Sequence, residues 1–152
     1  MENLNGGFKL IGLQLDKKTS NEAGQSSHDC GSLWQKFESE DYFKRVPGKL
    51  TDEIFAVYFD YEGDHTRPFS YFIGCQVEDS TEVPEGMSSL NIPRGNYTRL
   101  TTNGPMPDCV ADAWEEIWKS RIERRYSYDF EVYGDKSRDW SNAEVEIYLS
   151  VR

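Results

Sequence analysis

The feature that most constrains this chain is a pattern written twice. Phe55-Ala56-Val57-Tyr58 returns as Phe130-Glu131-Val132-Tyr133, seventy-five positions later. Cys30, Leu33, Trp34 and Phe37 return as Val110, Ala113, Trp114 and Ile117, eighty positions later. Phe72-Ile73-Gly74-Cys75 aligns with Glu146-Ile147-Tyr148-Leu149 at an offset of seventy-four. One such match is noise. Three in the same order, with the offset shrinking along the chain, mark a duplicated unit whose second copy has shorter loops.

The periodicities give the unit its content. Phe8 to Leu15, Ile54 to Phe59 and Phe69 to Val77 read as strands, the last two joined through the turn residues Tyr61 to His65. A helix starts near Ser26–Asp29, carries its apolar residues at i, i+3, i+4 and i+7, and fades by Val46-Pro47-Gly48. In the second copy, residues 87 to 102 read as one long strand interrupted at Pro93-Arg94-Gly95. A helix opens at Pro107-Asp108 with the stripe Val110, Ala113, Trp114, Ile117 and Trp118. Its acids lie early and its bases late, as the helix dipole favours. Strands follow at Tyr128 to Tyr133 and Ala143 to Val151. The unit is therefore βαββ. The expected fold class is α+β: duplicated βαββ units form one antiparallel-rich sheet, with two helices on one face and a ligand cleft on the other. Residues 1–152 are expected to be one domain, with halves at about 8–78 and 87–151.

Composition excludes several function classes. The net charge of −10 argues against direct nucleic-acid binding, which needs a basic face. No apolar run approaches a membrane span, and the polar start Met1 to Gly7 lacks a signal-peptide core, so a cytoplasmic location is expected. Cys30, Cys75 and Cys109 are odd in number and widely spaced, and the only histidines are His28 and His65. Neither a disulfide framework nor a metal site is suggested, and no cofactor is implied. Four Trp, nine Tyr and eight Phe are many for so polar a chain. The tyrosines in particular suit an amphipathic pocket.

Strand alternation divides the aromatics between two faces. Phe55, Val57, Phe59, Phe130 and Val132, together with Ile73, Cys75, Val145, Ile147 and Leu149, are expected to pack on the helices. Trp34, Phe37, Trp114, Ile117 and Trp118 should meet them as core. The opposite face would then gather Ala56, Tyr58, Phe72, Gly74, Glu131, Tyr133, Glu146 and Tyr148 near a pseudo-twofold axis. Two carboxylates among aromatic rings suit an organic cation, which ring quadrupoles attract by about 0.5–2 kcal/mol each. Ala56 and Gly74 would leave room for it. The plainer alternative is a solvated sheet face.

The chain resembles the gyrase-inhibitor-like family, the effector-binding domain of AraC- and MerR-type drug-responsive regulators. The resemblance covers nearly the whole chain. It rests on Phe69-Ser70-Tyr71-Phe72-Ile73-Gly74, Ile92-Pro93-Arg94-Gly95-Asn96-Tyr97, Asp129-Phe130-Glu131-Val132-Tyr133 and Val145-Glu146-Ile147-Tyr148-Leu149. Ser150 stands where the family usually has Pro. The resemblance implies the duplicated βαββ fold, multidrug binding, and a role for Glu131 at the base of an aromatic cleft that meets cationic, lipophilic drugs. The segment before Phe8 is too short for a helix-turn-helix, so a stand-alone effector domain acting as sensor or sequestering protein is expected. Two other functions stay open. A hydrolase of strained or electrophilic small molecules would use Glu131 as base with Tyr133, Tyr58 or Tyr148 as donor. A gyrase-type inhibitor would use the acidic surface to bind a protein partner.

Overall fold

Eight segments form strands in the computed structural model, which describes residues 2–4 and 7–152; those at the centre of the sheet are rich in β-branched and aromatic residues, and those towards its ends are more polar. Met1, Asn5 and Gly6 of the polar start lie outside the described residues. The strands are β1 (Glu2–Leu4), β2 (Phe8–Gln14), β3 (Ile54–Phe59), β4 (Ser70–Val77), β5 (Ser88–Ile92), β6 (Gly95–Gly104), β7 (Tyr128–Tyr133) and β8 (Ala143–Ser150). The helices are α1 (Gln25–Ser39), the short α2 (Tyr42–Arg45) and α3 (Asp108–Lys119). The order β2-α1-β3-β4 recurs as β6-α3-β7-β8. The α+β sheet architecture is as expected, and every neighbouring strand pair is antiparallel, in the order β1-β6-β8-β7-β3-β4-β2-β5. The helix expected to fade by Val46-Pro47-Gly48 is two, broken at Asp41 (φ 61°), and α2 buries Tyr42; strand β1 was not anticipated from the sequence.

The register at the centre of the sheet fixes the symmetry. Strands β3 and β7 pair Phe55 with Val132, Ala56 with Glu131 and Val57 with Phe130. A shift of seventy-five positions exchanges the first and third pairs and maps Ala56–Glu131 onto itself. A local twofold axis therefore runs through the Ala56–Glu131 pair.

The residues 87 to 102 are two strands rather than one interrupted strand. Strand β5 lies at one end of the sheet beside β2, and β6 lies near the other end beside β8. Only Pro93 and Arg94 join them. So short a link is possible only if the sheet curls until its two ends approach. The ring of Phe8 on β2 lies 5.7 Å from that of Phe130 on β7, three strands away, where a flat sheet would hold them roughly 14 Å apart. The strands approach closely where Gly12 pairs with Gly74: a Cβ on Gly74 would lie 2.6 Å from the Ile11 carbonyl oxygen and 2.6 Å from the Phe72 ring.

Curling makes the two faces unlike. The inner face is filled by Leu10, Phe55, Val57, Phe72, Phe130 and Val132, closed by Ile92 and Tyr97. The outer face carries both long helices. Leu33 and Phe37 of α1 pack on Ile11, Ala56, Tyr71 and Ile73, while Val110, Trp114 and Ile117 of α3 pack on Val145, Ile147 and Leu149. Tyr58 and Tyr133 touch both clusters, at the seam between the helices.

This overturns part of the expected face assignment. Strands β4 and β8 present Ile73, Cys75, Val145, Ile147 and Leu149 to the helices as expected. Strands β3 and β7 are inverted: Ala56, Tyr58, Glu131 and Tyr133 lie on the helix side, and Phe55, Val57, Phe130 and Val132 point inward. The cleft is likewise on the helix side, because the other face is the packed interior of the curled sheet. Opening that interior would expose several Phe side chains at about 1.5–3 kcal/mol each. Among the described residues, no helix is long and apolar enough to cross a membrane, and no His, Cys, Asp and Glu group is arranged to hold a metal ion.

Candidate functional site

Helices α1 and α3 are amphipathic and each covers one half of the sheet, so a gap remains between them over the twofold axis. The gap is a cleft of about 1110 Å³, floored by Tyr58, Tyr71, Glu131 and Tyr133 and walled by Trp34 of α1 and Trp114 of α3. That volume admits a drug-sized molecule. The walls obey the twofold. Trp34 meets Tyr133 edge-on at 5.1 Å, and Trp114 meets Tyr58 edge-on at 5.1 Å. Each helix therefore places its tryptophan on the tyrosine of the other half.

The symmetry breaks on the axis itself. One copy has Ala56 where the other has Glu131, so the pair on the axis carries a single carboxylate. Glu131 is 2% exposed. Its Oε2 accepts hydrogen bonds from the Tyr58 hydroxyl at 2.7 Å and the Trp114 indole N–H at 2.6 Å, and its Oε1 accepts one from the Tyr133 hydroxyl. Trp34, by contrast, donates to the Tyr71 hydroxyl at 2.8 Å. All three donors to Glu131 are neutral. Burial pushes its pKa above the ordinary carboxylate value, and the bonds from Tyr133, Tyr58 and Trp114 pull partly back. Burial first, and the Glu131 charge second, hold the Tyr58 and Tyr133 hydroxyls well above the usual phenol range, so both stay protonated donors.

Two residues earlier on β7 and on the same face, Asp129 is fully buried and compensated. Its Oδ2 meets the Arg124 guanidinium at 2.8 Å and accepts the Tyr61 hydroxyl at 2.7 Å. Its Oδ1 accepts the Ser150 backbone N–H at 2.7 Å and hydroxyl at 3.0 Å. Asp129 thus ties β7 to β8 and to the loop after β3.

The structure brings together three of the residues singled out in the sequence, Glu131, Tyr58 and Tyr133. Ala56 sits beside Glu131 on the axis, fully buried. The other four belong to the opposite face. Phe72 is fully buried within the curled sheet, and the space beside Gly74 is filled by the Phe72 ring and the β2 backbone. Tyr148 stacks on Phe130 at 4.8 Å, and its hydroxyl donates to Glu146 at 3.3 Å. The cause is register: Glu131 pairs with Ile147, so Glu146 and Tyr148, one residue to either side, point the other way. Trp114, read as core, is 9% exposed and belongs to the core under α3 as expected, and it also lines the cleft; Trp34, likewise read as core, is half-buried and lines the cleft. Their identical position in the two repeats, each opposite a tyrosine of the repeated strand, was the signal that could have placed them there. Tyr71, Asp129 and Arg124 were missed. Tyr71 differs from Phe72 only in the parity of its position, and the Arg124–Asp129 pair forms from a segment with no periodic pattern.

Known proteins share this architecture. The Vibrio cholerae integron cassette protein VCH_CASS2, from the mobile metagenome, superposes with a TM-score of 0.73 at 27% identity, over 99% of this chain and 94% of that one. SAV2435, solved bound to tetraphenylphosphonium, superposes with a TM-score of 0.77 at 19% identity, over 100% and 94% of the two chains. The transcriptional regulator BrlR of Pseudomonas aeruginosa is 26% identical over 152 residues, and this chain spans about half of its length (52%). The regulator-like protein YobU of Bacillus subtilis is 25% identical over 143 residues, 91% of this chain and 89% of that protein. The model of the integron-associated effector binding proteins matches residues 6–151, and the chain belongs to that family.

Proposed function

We propose that the chain binds a lipophilic organic cation in the cleft between α1 and α3, with Glu131 as its counter-charge and Trp34, Trp114, Tyr58 and Tyr133 as its aromatic walls. One observation carries this reading: Glu131 is a buried carboxylate held by three neutral donors, whereas its neighbour Asp129 has an arginine of its own. Burying a carboxylate without a cation costs several kcal/mol. A cationic ligand relieves that cost, and ring faces add about 0.5–2 kcal/mol each. The tetraphenylphosphonium bound by SAV2435, a protein of the same fold, supports the ligand class. Membership of an effector-binding family and likeness to regulators support a sensing role, in which this chain is the ligand-reading unit, acts in the cytoplasm, and stands within the broader gyrase-inhibitor-like group.

The test is calorimetric titration of wild type and Glu131→Gln with tetraphenylphosphonium and with neutral triphenylmethanol. Glutamine keeps the shape and removes the charge. The expected result is a loss of roughly a hundredfold for the cation, as for a close charge pair at a partly screened site, and little change for the neutral ligand. Equal losses for both would mean that Glu131 only shapes the cleft.

A further inference from the structure

Arg124 lines the same cleft and is not spent on Asp129. Its side chain is 3% exposed. Of its three nitrogens only Nη2 donates, to Asp129; Nε and Nη1 are buried with no hydrogen-bond partner. The guanidinium carbon lies 4.3 Å from the Tyr126 ring and 5.6 Å from the Trp114 ring. Ring faces satisfy the charge from above or below, but the N–H bonds lie in the guanidinium plane and want an oxygen at its edge. Nearly all buried polar groups find such a partner, so two orphan donors on one cleft residue require a reason.

Neighbouring features point the same way. Tyr126 holds φ at +55°, a left-handed conformation that a bulky residue rarely adopts, and keeps its ring against both Arg124 and Tyr61. His65, in the loop after β3, also lines the cleft, stacks on Trp118 at 5.2 Å, and leaves its Nδ1 buried without a partner. Both orphaned side chains are thus tied to the loop after β3: His65 belongs to it, and Arg124 shares Asp129 with its Tyr61. Trp114 connects this polar end to the carboxylate, with its indole N–H on Glu131 and its ring beside Arg124.

We propose that the Arg124 edge is a second subsite of the cleft that His65 also lines, and that it takes a neutral hydrogen-bond acceptor carried by the cationic ligand. The preferred class is an aryl cation bearing a carbonyl oxygen away from its charge. A carbonyl suits the edge better than a carboxylate, because Asp129 already balances the guanidinium and Glu131 would repel a second anion. This inference rests on the cation-binding reading.

The experiment compares tetraphenylphosphonium with (4-acetylphenyl)triphenylphosphonium, the same cation with one added carbonyl, on wild type and Arg124→Lys. Lysine retains the charge opposite Asp129 and removes the planar edge. Wild type is expected to prefer the acetyl compound about tenfold, the scale of one hydrogen bond to a charged donor. In Arg124→Lys the ratio of the two affinities should fall to about one, whatever happens to the parent cation. Equal affinities in wild type would overturn the subsite while leaving the cation site standing, and this result does not depend on the variant folding. A preference that survives Arg124→Lys would also overturn it. Binding of neither phosphonium by wild type would remove the cation site and the subsite together.

Discussion

Glu131 and Asp129 stand two residues apart on one strand and one face, both buried, and they serve opposite ends. Asp129 has a cation, a phenol and two groups of Ser150. Glu131 has three neutral donors and an aromatic cleft above it. The chain has neutralised the carboxylate that joins its strands and left the one on the twofold axis without a counter-ion. A buried charge paired in this way is costly to break, whereas one held only by neutral donors is poised to accept a partner.

The comparison breaks most readily at Asp129. Asp129→Asn leaves Arg124 buried without its counter-charge and should cost about 3–5 kcal/mol of unfolding free energy in a denaturant titration. Glu131→Gln should stay within about 1 kcal/mol of wild type, because the tyrosine hydroxyls can turn to suit an amide. The same loss at both positions would erase the distinction. At the small end, Glu146→Gln should change tetraphenylphosphonium affinity less than twofold, because Glu146 lies on the far side of the sheet from Glu131. A loss comparable with that of Glu131→Gln would place the ligand on the inner face.

The sequence made the strands and helices of the repeat other than β6, the repeat offsets and the grouping of Glu131 with Tyr58 and Tyr133 legible, because each follows from short-range periodicity. It did not make the faces of β3 and β7 legible. Every residue of Ile54–Phe59 is apolar, so alternation alone gives no inside or outside, and only the cross-strand register decides. Reading β3 and β7 one residue out of phase with β4 and β8 puts Glu146 and Tyr148 in the cleft and hides that Trp34 and Trp114 line it, Trp114 from within the core. The curl of the sheet was equally hidden. It depends on Pro93 and Arg94 linking opposite ends of the sheet, which local pattern reads as a break within one strand. The Arg124–Asp129 pair needs the path of an irregular segment that carries no repeat.

The pH dependence follows from the direction of the Glu131 shift. Burial raises its pKa in the folded chain, so its contribution to stability is fullest below the ordinary carboxylate pKa and is lost as pH rises through the folded value. A bound cation favours the ionised form, so binding releases a proton wherever free Glu131 is protonated, and affinity falls as pH drops below that folded value. The most direct test is a ¹³C NMR titration of the Glu131 side-chain carboxyl, without ligand and with saturating tetraphenylphosphonium. The account predicts a midpoint above the ordinary glutamate value in the free protein and a clear downward shift in the complex. The same midpoint in both states, or an upward shift on binding, would contradict it.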